Sequence, residues 1–198
     1  MSYPLRDKIP SRTCVKTYTD HKRYKPYLRK DFNKKCGYCD DYDAFVGGPD
    51  SYHVDHFVPA GDFPHLSTTY SNLVYSCQYC NRAKWNKWPS NSEHINIVNN
   101  EGFVDPCDVN YNTHFERDSN GDIIALTELG NYMHKNLHLH LERHAILWNL
   151  NRIQEQRNTL KAYMSDSAKL SEKQQEMLAD LDGNFDDFFL KLQNIYDN

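Results

Sequence analysis

The sequence predicts an α+β protein: a small cysteine-framed unit of two strands and a helix, with a basic arm before it and a helical hairpin after it. Three observations predict this. Two Cys-x-x-Cys pairs, Cys36-Gly37-Tyr38-Cys39 and Cys77-Gln78-Tyr79-Cys80, bracket residues 40–76. Within that bracket, runs of aromatic and β-branched residues are separated by a loop-forming stretch, and a helical run follows the second pair. From Thr127 onward, Leu, Ile, Tyr and Phe recur at helical intervals nearly to the end of the chain.

The 198 residues are enough for one domain with an appendage, and 39% hydrophobic and 13% aromatic content favours folding over disorder. A net charge of −4 is not what a nucleic-acid-binding domain usually carries. It conceals an asymmetry, because residues 1–90 hold 14 Lys and Arg against 9 Asp and Glu, whereas residues 91–198 hold 9 against 18. No run is long and apolar enough to span a bilayer, and the start lacks an apolar signal core. These features lead us to expect a soluble, cytoplasmic protein with no membrane partner.

Residues 1–35 are the basic arm, with 11 Lys and Arg against 3 Asp. Pro4 and Pro10 suggest an extended start, and from Pro26 a short helix would bury Tyr27, Leu28 and Phe32. Lys22, Arg23, Lys25, Arg29 and Lys30 would lie on its outer side or just before it. They form either a phosphate-contacting patch or a solvated helix face.

Residues 36–90 carry the densest pattern. Two Cys-x-x-Cys pairs can turn four thiolates toward one point, a closed tetrahedral shell that suits a structural zinc. Two disulfides or a redox pair are the alternatives, but nothing points to an oxidising compartment. Tyr52, Val54, Phe57 and Val58 make residues 51–58 a strand that Pro59 stops, and residues 59–70, with Gly61 and Pro64, a loop. Leu73-Val74-Tyr75 is a second strand, and a helix from Gln78 would end at Pro89. Trp85 and Trp88 are expected in the core rather than as a stacking platform. Cys14 and Cys107 fall outside the pairs and are expected to be free thiols.

Inside the cysteine frame stand Asp55-His56, Asn72 and Asn81. Taken singly, each has an ordinary explanation as a cap, a turn or a packed histidine. Together in this frame they resemble the HNH endonucleases, the zinc-stapled branch of the ββα-metal nucleases, over residues 36–88. The resemblance implies a ββα-metal core and phosphodiester hydrolysis. His56 would be the general base, since imidazole accepts a proton near neutral pH. Asn72 would orient that imidazole through its other ring nitrogen. Asp55 and Asn81 would be the ligands of a catalytic Mg2+ or Mn2+ ion. Cys36, Cys39, Cys77 and Cys80 would hold the structural Zn2+. Arg82 and Lys84 on the following helix would join the nucleic-acid contacts, Lys84 reaching a phosphate oxygen.

Residues 91–126 form a bridging segment with a short alternating run at Ile95 and Ile97, an Asp105-Pro106 turn and a β-hairpin about Asn120-Gly121. His114 is expected to be a hairpin histidine. Residues 127–198 are helical: one long stripe from Leu129 through Ile153 toward Tyr163, a break over residues 165–171, and a second helix over residues 172–196. His134 with His138, and His140 with His144, have i, i+4 spacing, but a partly buried polar face is the expected role. The hairpin of helices would pack on the core or dock a protein partner.

DNA is the expected substrate, RNA a less favoured one. Size and helical tail resemble HNH subunits that work beside an ATPase in Septu-type anti-phage systems. The competing function class is a zinc-stapled nucleic-acid-binding or adaptor module without cleavage.

Overall fold

The computed structural model of the protein describes residues 2–166 and 171–197. They fall into two compact units, Met1–Leu141 and Glu142–Asn198. Among the described residues, no helix is long and apolar enough to cross a membrane.

The first unit begins with the two-residue strand β1 (Tyr3–Pro4) and an extended arm. The arm is tied down by two arginines. Arg6 is buried, donates to the carbonyls of Gly37 at 2.6 Å and Pro106 at 3.0 Å, and lies 4.2 Å above the Tyr111 ring. Arg12 donates through Nε to the Leu73 carbonyl at 2.8 Å and through Nη1 to both Asp105 oxygens at 3.0 Å. A 3-10 turn, His21–Tyr24, is capped by Asp20, whose carboxylate accepts from the Lys22 amide. It runs directly into α1 (Lys25–Asp31), where Pro26 sits at the start and its missing N–H costs nothing. Leu28 and Phe32 are buried and Tyr27 is half-buried, as the sequence stripe predicts.

After the first cysteine pair come β2 (Tyr52–His56) and β3 (Leu73–Cys77), antiparallel, with Tyr52 opposite Cys77 and His56 opposite Leu73. The helix α2 (Gln78–Lys84) leaves β3 without a loop and packs on both strands. The predicted strand over 51–58 is thus trimmed at both ends, and the loop between the strands holds two 3-10 turns, Pro64–Leu66 and Tyr70–Asn72. The α2 helix stops well before Pro89, because Trp85 adopts φ +47°. That reversal turns the Trp85 indole outward, 72% exposed, so the expectation of a core residue fails there. Trp88 is half-buried and packs edge-on to Phe57 at 5.4 Å, its indole N–H donating to the Ser92 carbonyl.

The core of this unit is rich in tyrosine, and each buried hydroxyl named here has a partner. Tyr52 donates to the Asp41 carbonyl at 2.8 Å, Tyr75 to Asp43 at 2.7 Å and Tyr111 to the Tyr38 carbonyl at 3.0 Å. Large rings thereby fill the interior without stranding a polar atom.

The bridging segment forms the hairpin β4 (Ile97–Val98) and β5 (Glu101–Gly102), turned by Asn99 and Asn100 at positive φ. At Gly102, φ is +134° and a Cβ would fall 2.0 Å from the Asn96 carbonyl, so no other residue fits. The second hairpin, β6 (Phe115–Arg117) and β7 (Ile123–Ala125), is the one predicted, but its loop is longer than an Asn-Gly pair: Asp118 accepts from the amides of Asn120 and Asp122. The arm strand β1 adds to its outer side, giving the sheet order β1-β6-β7.

Thr127 caps α3 (Glu128–Asn136), its hydroxyl accepting from the Gly130 amide at 2.9 Å. The single long helix expected here is interrupted. His138 stands at φ +56°, and helix resumes only at α4 (Glu142–Asp166). His138 and His140 lie in the interruption, so the i, i+4 histidine spacing has no helical meaning. The second unit comprises α4 and α5 (Glu172–Asp197). They are held by an Arg157–Asp182 ion pair at 2.7 Å, the Arg157 guanidinium over Phe185, and buried Ile153 and Leu192. The predicted break over 165–171 falls partly on 167–170, outside the described residues.

Arg12→Ala removes a paired, charge-assisted contact that fastens the arm to β3 and Asp105. We expect a loss of about 2 kcal/mol of stability and a fall in Tm of about 4–8 °C, read by thermal unfolding; an unchanged Tm would show that the arm is not part of the folded unit.

Candidate active site

The sulfurs of Cys36, Cys39, Cys77 and Cys80 lie within 4.8 Å of one another, all buried. Cys39 and Cys77 are 3.8 Å apart, and zinc–sulfur bonds of about 2.3 Å set neighbouring sulfurs of a tetrahedron about 3.8 Å apart. Backbone amides point at two of the sulfurs, Tyr38 N–H at Cys36 and Cys80 N–H at Cys77. Burial, and after it the neighbouring sulfurs, push the Cys39 and Cys80 thiols well up, whereas, against burial, the hydrogen bonds from the other sulfurs bring Cys36 down; four thiolates packed this closely need a cation among them. The donor set fits a metal ion such as zinc. Cys14 and Cys107 stand outside the cluster as free thiols.

Asp55 and His56 are the last two residues of β2. Asp55 is buried, and both its close side-chain partners address one oxygen: the Tyr38 hydroxyl donates to Oδ2 at 2.6 Å and the Lys84 ammonium stands 3.8 Å away. Burial pushes the Asp55 carboxyl up against the opposing pull of Lys84, and pushes the Lys84 ammonium down. Lys84 has no exposed surface and donates to the His56 carbonyl at 2.9 Å. It therefore does not reach outward to a phosphate, as the sequence reading expected; the apolar wall of Phe103, 5.6 Å from its nitrogen, encloses it. Asn81 precedes Lys84 by one helical turn, so the face of α2 that meets Asp55 also carries the Asn81 amide. A carboxylate and an amide are both hard oxygen donors, the kind that a divalent cation such as Mg2+ takes.

His56 is half-buried, and its Nε2 lies 2.8 Å from the Ser67 carbonyl. A carbonyl can only accept, so Nε2 carries the proton and a neutral ring keeps its lone pair on Nδ1. Orientation of the ring thus comes from a backbone group in the loop, not from Asn72. The Asn72 amide is turned the other way: its oxygen accepts from the Val58 amide at 2.7 Å and its nitrogen donates to the carbonyls of Val58 at 3.0 Å and Leu66 at 3.4 Å. Asn72 closes the loop that carries Ser67, and acts on His56 at one remove.

Of the basic residues, Lys22, Arg23, Lys30 and Arg82 are exposed and Lys25 is half-buried. Burial lowers the pKa of His53, and the cations of Lys25 and Arg82 lower it further. Arg29 drops out of the patch, because its guanidinium is forked onto buried Asp43 at 2.6 and 3.1 Å. Asp43 has no exposed surface and would otherwise be an uncompensated buried charge, which explains why Arg29 turns inward. Sequence reasoning missed Tyr38, the Ser67 carbonyl and His21, whose ring centroid lies 4.8 Å from that of His56. No spacing rule connects any of them to the motif; only the folded chain does.

Because Asn72 satisfies the loop backbone, Asn72→Ala should cost about 2–3 kcal/mol of stability, measured by denaturant unfolding. A variant that kept full stability would mean that the amide serves the imidazole after all.

Residues 36–87 match the model of the HNH endonuclease family. No curated protein and no solved structure matches the chain. The matched segment contains both cysteine pairs, the Asp55–His56 strand end, Asn72 and the helix bearing Asn81. Over residues 36–87, then, the chain is similar to the HNH endonuclease domain.

Proposed function

We propose that the protein is a metal-dependent endonuclease that hydrolyses phosphodiester bonds of DNA, with His56 as general base. The observation that carries this reading is the hydrogen bond from His56 to the Ser67 carbonyl beside the buried Asp55. It leaves Nδ1 as the basic nitrogen at the end of a strand whose neighbouring residue offers a carboxylate. His56 takes a proton from water, the water oxygen bonds to phosphorus, a phosphorus–oxygen bond breaks, and the departing oxygen is protonated from solvent. Asp55 and Asn81 would hold a Mg2+ or Mn2+ ion. When bound, that ion supplies positive charge to the phosphate and the leaving oxygen. The four cysteines would hold a structural Zn2+, with no position open for chemistry.

Lys22, Arg23, Lys25, Lys30 and Arg82 would contact the phosphate backbone beside the site, which fixes position rather than sequence. The second unit exposes Met177, Phe189 and Leu190, 52%, 41% and 56% accessible, along an otherwise acidic helix. This supports a protein partner there; an ATPase beside which the chain would act as effector in anti-phage defence is part of the proposal and rests on the resemblance in size and helical tail alone. One observation favours the competing reading, an adaptor without cleavage: the buried Lys84 ammonium already offers a positive charge to Asp55.

A plasmid-nicking assay with Mg2+ or Mn2+ separates the two. Wild type should nick, and His56→Ala should lose about 100-fold or more of the rate while binding the same amount of zinc. Equal cutting by the variant would remove His56 from the mechanism, and cutting of single-stranded RNA in place of plasmid would replace DNA as the substrate.

A further inference from the structure

We propose that His21, which lies outside the segment that matches the HNH endonuclease model, is a substrate-contacting residue of the site: its imidazole donates an N–H to a backbone phosphate of the nucleic acid whose hydrolysis by water His56 would assist as general base. This rests on the nuclease reading above.

The geometry begins with the ring pair. His21 and His56 have centroids 4.8 Å apart and planes inclined by 60°, so the two rings touch without forming a hydrogen bond to each other. The His21 side chain is about one-third exposed, 32%, and its Nδ1 is 3.9 Å from the Asp20 carboxylate. Among the described residues Nε2 has no hydrogen-bond acceptor. In the tautomer that carries its proton on Nε2, the ring has a donor to give beside His56.

The position is rigid. Asp20 caps the turn by accepting the Lys22 amide at 2.9 Å, and Tyr24, 2% exposed, anchors the turn while its hydroxyl takes the Tyr18 amide at 2.9 Å. The turn itself packs on β2. A loop fastened at both ends is the way to hold a ring within a few tenths of an ångström of a reacting centre.

Charge gives the ligand's sign. His21 is followed by exposed Lys22 and Arg23 and half-buried Lys25. An anion is what this edge of the site attracts. A ring needed only to wall off His56 would be better apolar, since burying part of an imidazole beside another imidazole costs solvation and returns no hydrogen bond. Burial and the neighbouring His56 lower the His21 pKa, which favours a neutral ring in the free protein. A neutral imidazole still donates one N–H, and hydrogen bonds to charged oxygens are the stronger kind.

Two measurements on the full chain test this. In steady-state cleavage of a fluorescein-labelled DNA duplex with Mn2+, His21→Ala and His21→Phe should each lower kcat/KM about tenfold or more. His21→Gln, which keeps a donor, should recover much of that loss, with Tm and zinc content unchanged in all three. Full activity in His21→Phe would overturn the proposal, because the ring would then be a wall and nothing more. Independently, long-range 1H–15N spectra of the histidine rings, with duplex added and no divalent ion, should shift His21 while leaving His94, 85% exposed, in place. An unmoved His21 signal on saturation with duplex overturns the contact whatever the cleavage result. If wild type fails to cleave but His21 shifts, the nuclease reading falls and the phosphate contact stands.

Discussion

Four sulfurs drawn within 4.8 Å of one another in the interior are the constraint on which the remaining architecture turns. Cys36 and Cys39 come from the knuckle after α1, Cys77 ends β3 and Cys80 lies in the first turn of α2. Joining them ties three elements at one point, and a two-stranded sheet of five-residue strands needs such a tie. So small a sheet buries too little to stand alone. With the knuckle fixed, Tyr38 is placed to donate to Asp55; with α2 fixed to β3, Lys84 is placed under the same carboxylate. The ends of β2 and α2 thus meet at a geometry set from the far end of the unit.

The site is also braced from outside the matched domain. Arg12 reaches the Leu73 carbonyl at the start of β3, directly across from His56, and the turn ahead of α1 lays His21 on the His56 ring. Arg29 neutralises buried Asp43, which in turn accepts from Tyr75 on β3. The N-terminal basic segment therefore has two kinds of cation. Some hold the fold together from inside, and others, Lys22, Arg23 and Lys30 among them, stay exposed. Local unfolding of the arm would loosen β3 and the end of β2 together, which links the stability of residues 5–32 to the position of His56.

Much of this was legible in the sequence, for physical reasons. Cysteine spacing and the Asp55-His56, Asn72 and Asn81 set are local patterns, so the frame, the two strands and the helix after Cys77 could be read directly. The Leu28 and Phe32 stripe and the hairpin around Gly121 follow from periodicity and turn chemistry. What could not be read depends on long-range partners. Nothing near Lys84 says that it will be enclosed against Phe103, and nothing near Arg29 says that Asp43 waits for it. The spacing puts Asn72 inside the frame, but its hydrogen bonds go to Val58 and Leu66, and that choice is made by the loop's conformation. Trp85 and His138 broke helices that periodicity would continue, because each adopts a positive φ that propensity does not foresee.

The central claim is that one thiolate-bound metal ion fixes the frame that brings the end of β2, with Asp55 and His56, against α2. X-ray absorption at the zinc edge on the purified full chain tests it most directly. The account predicts zinc with four sulfur neighbours at about 2.3 Å. A shell of nitrogen and oxygen ligands, or a folded protein that binds no zinc at all, would contradict it.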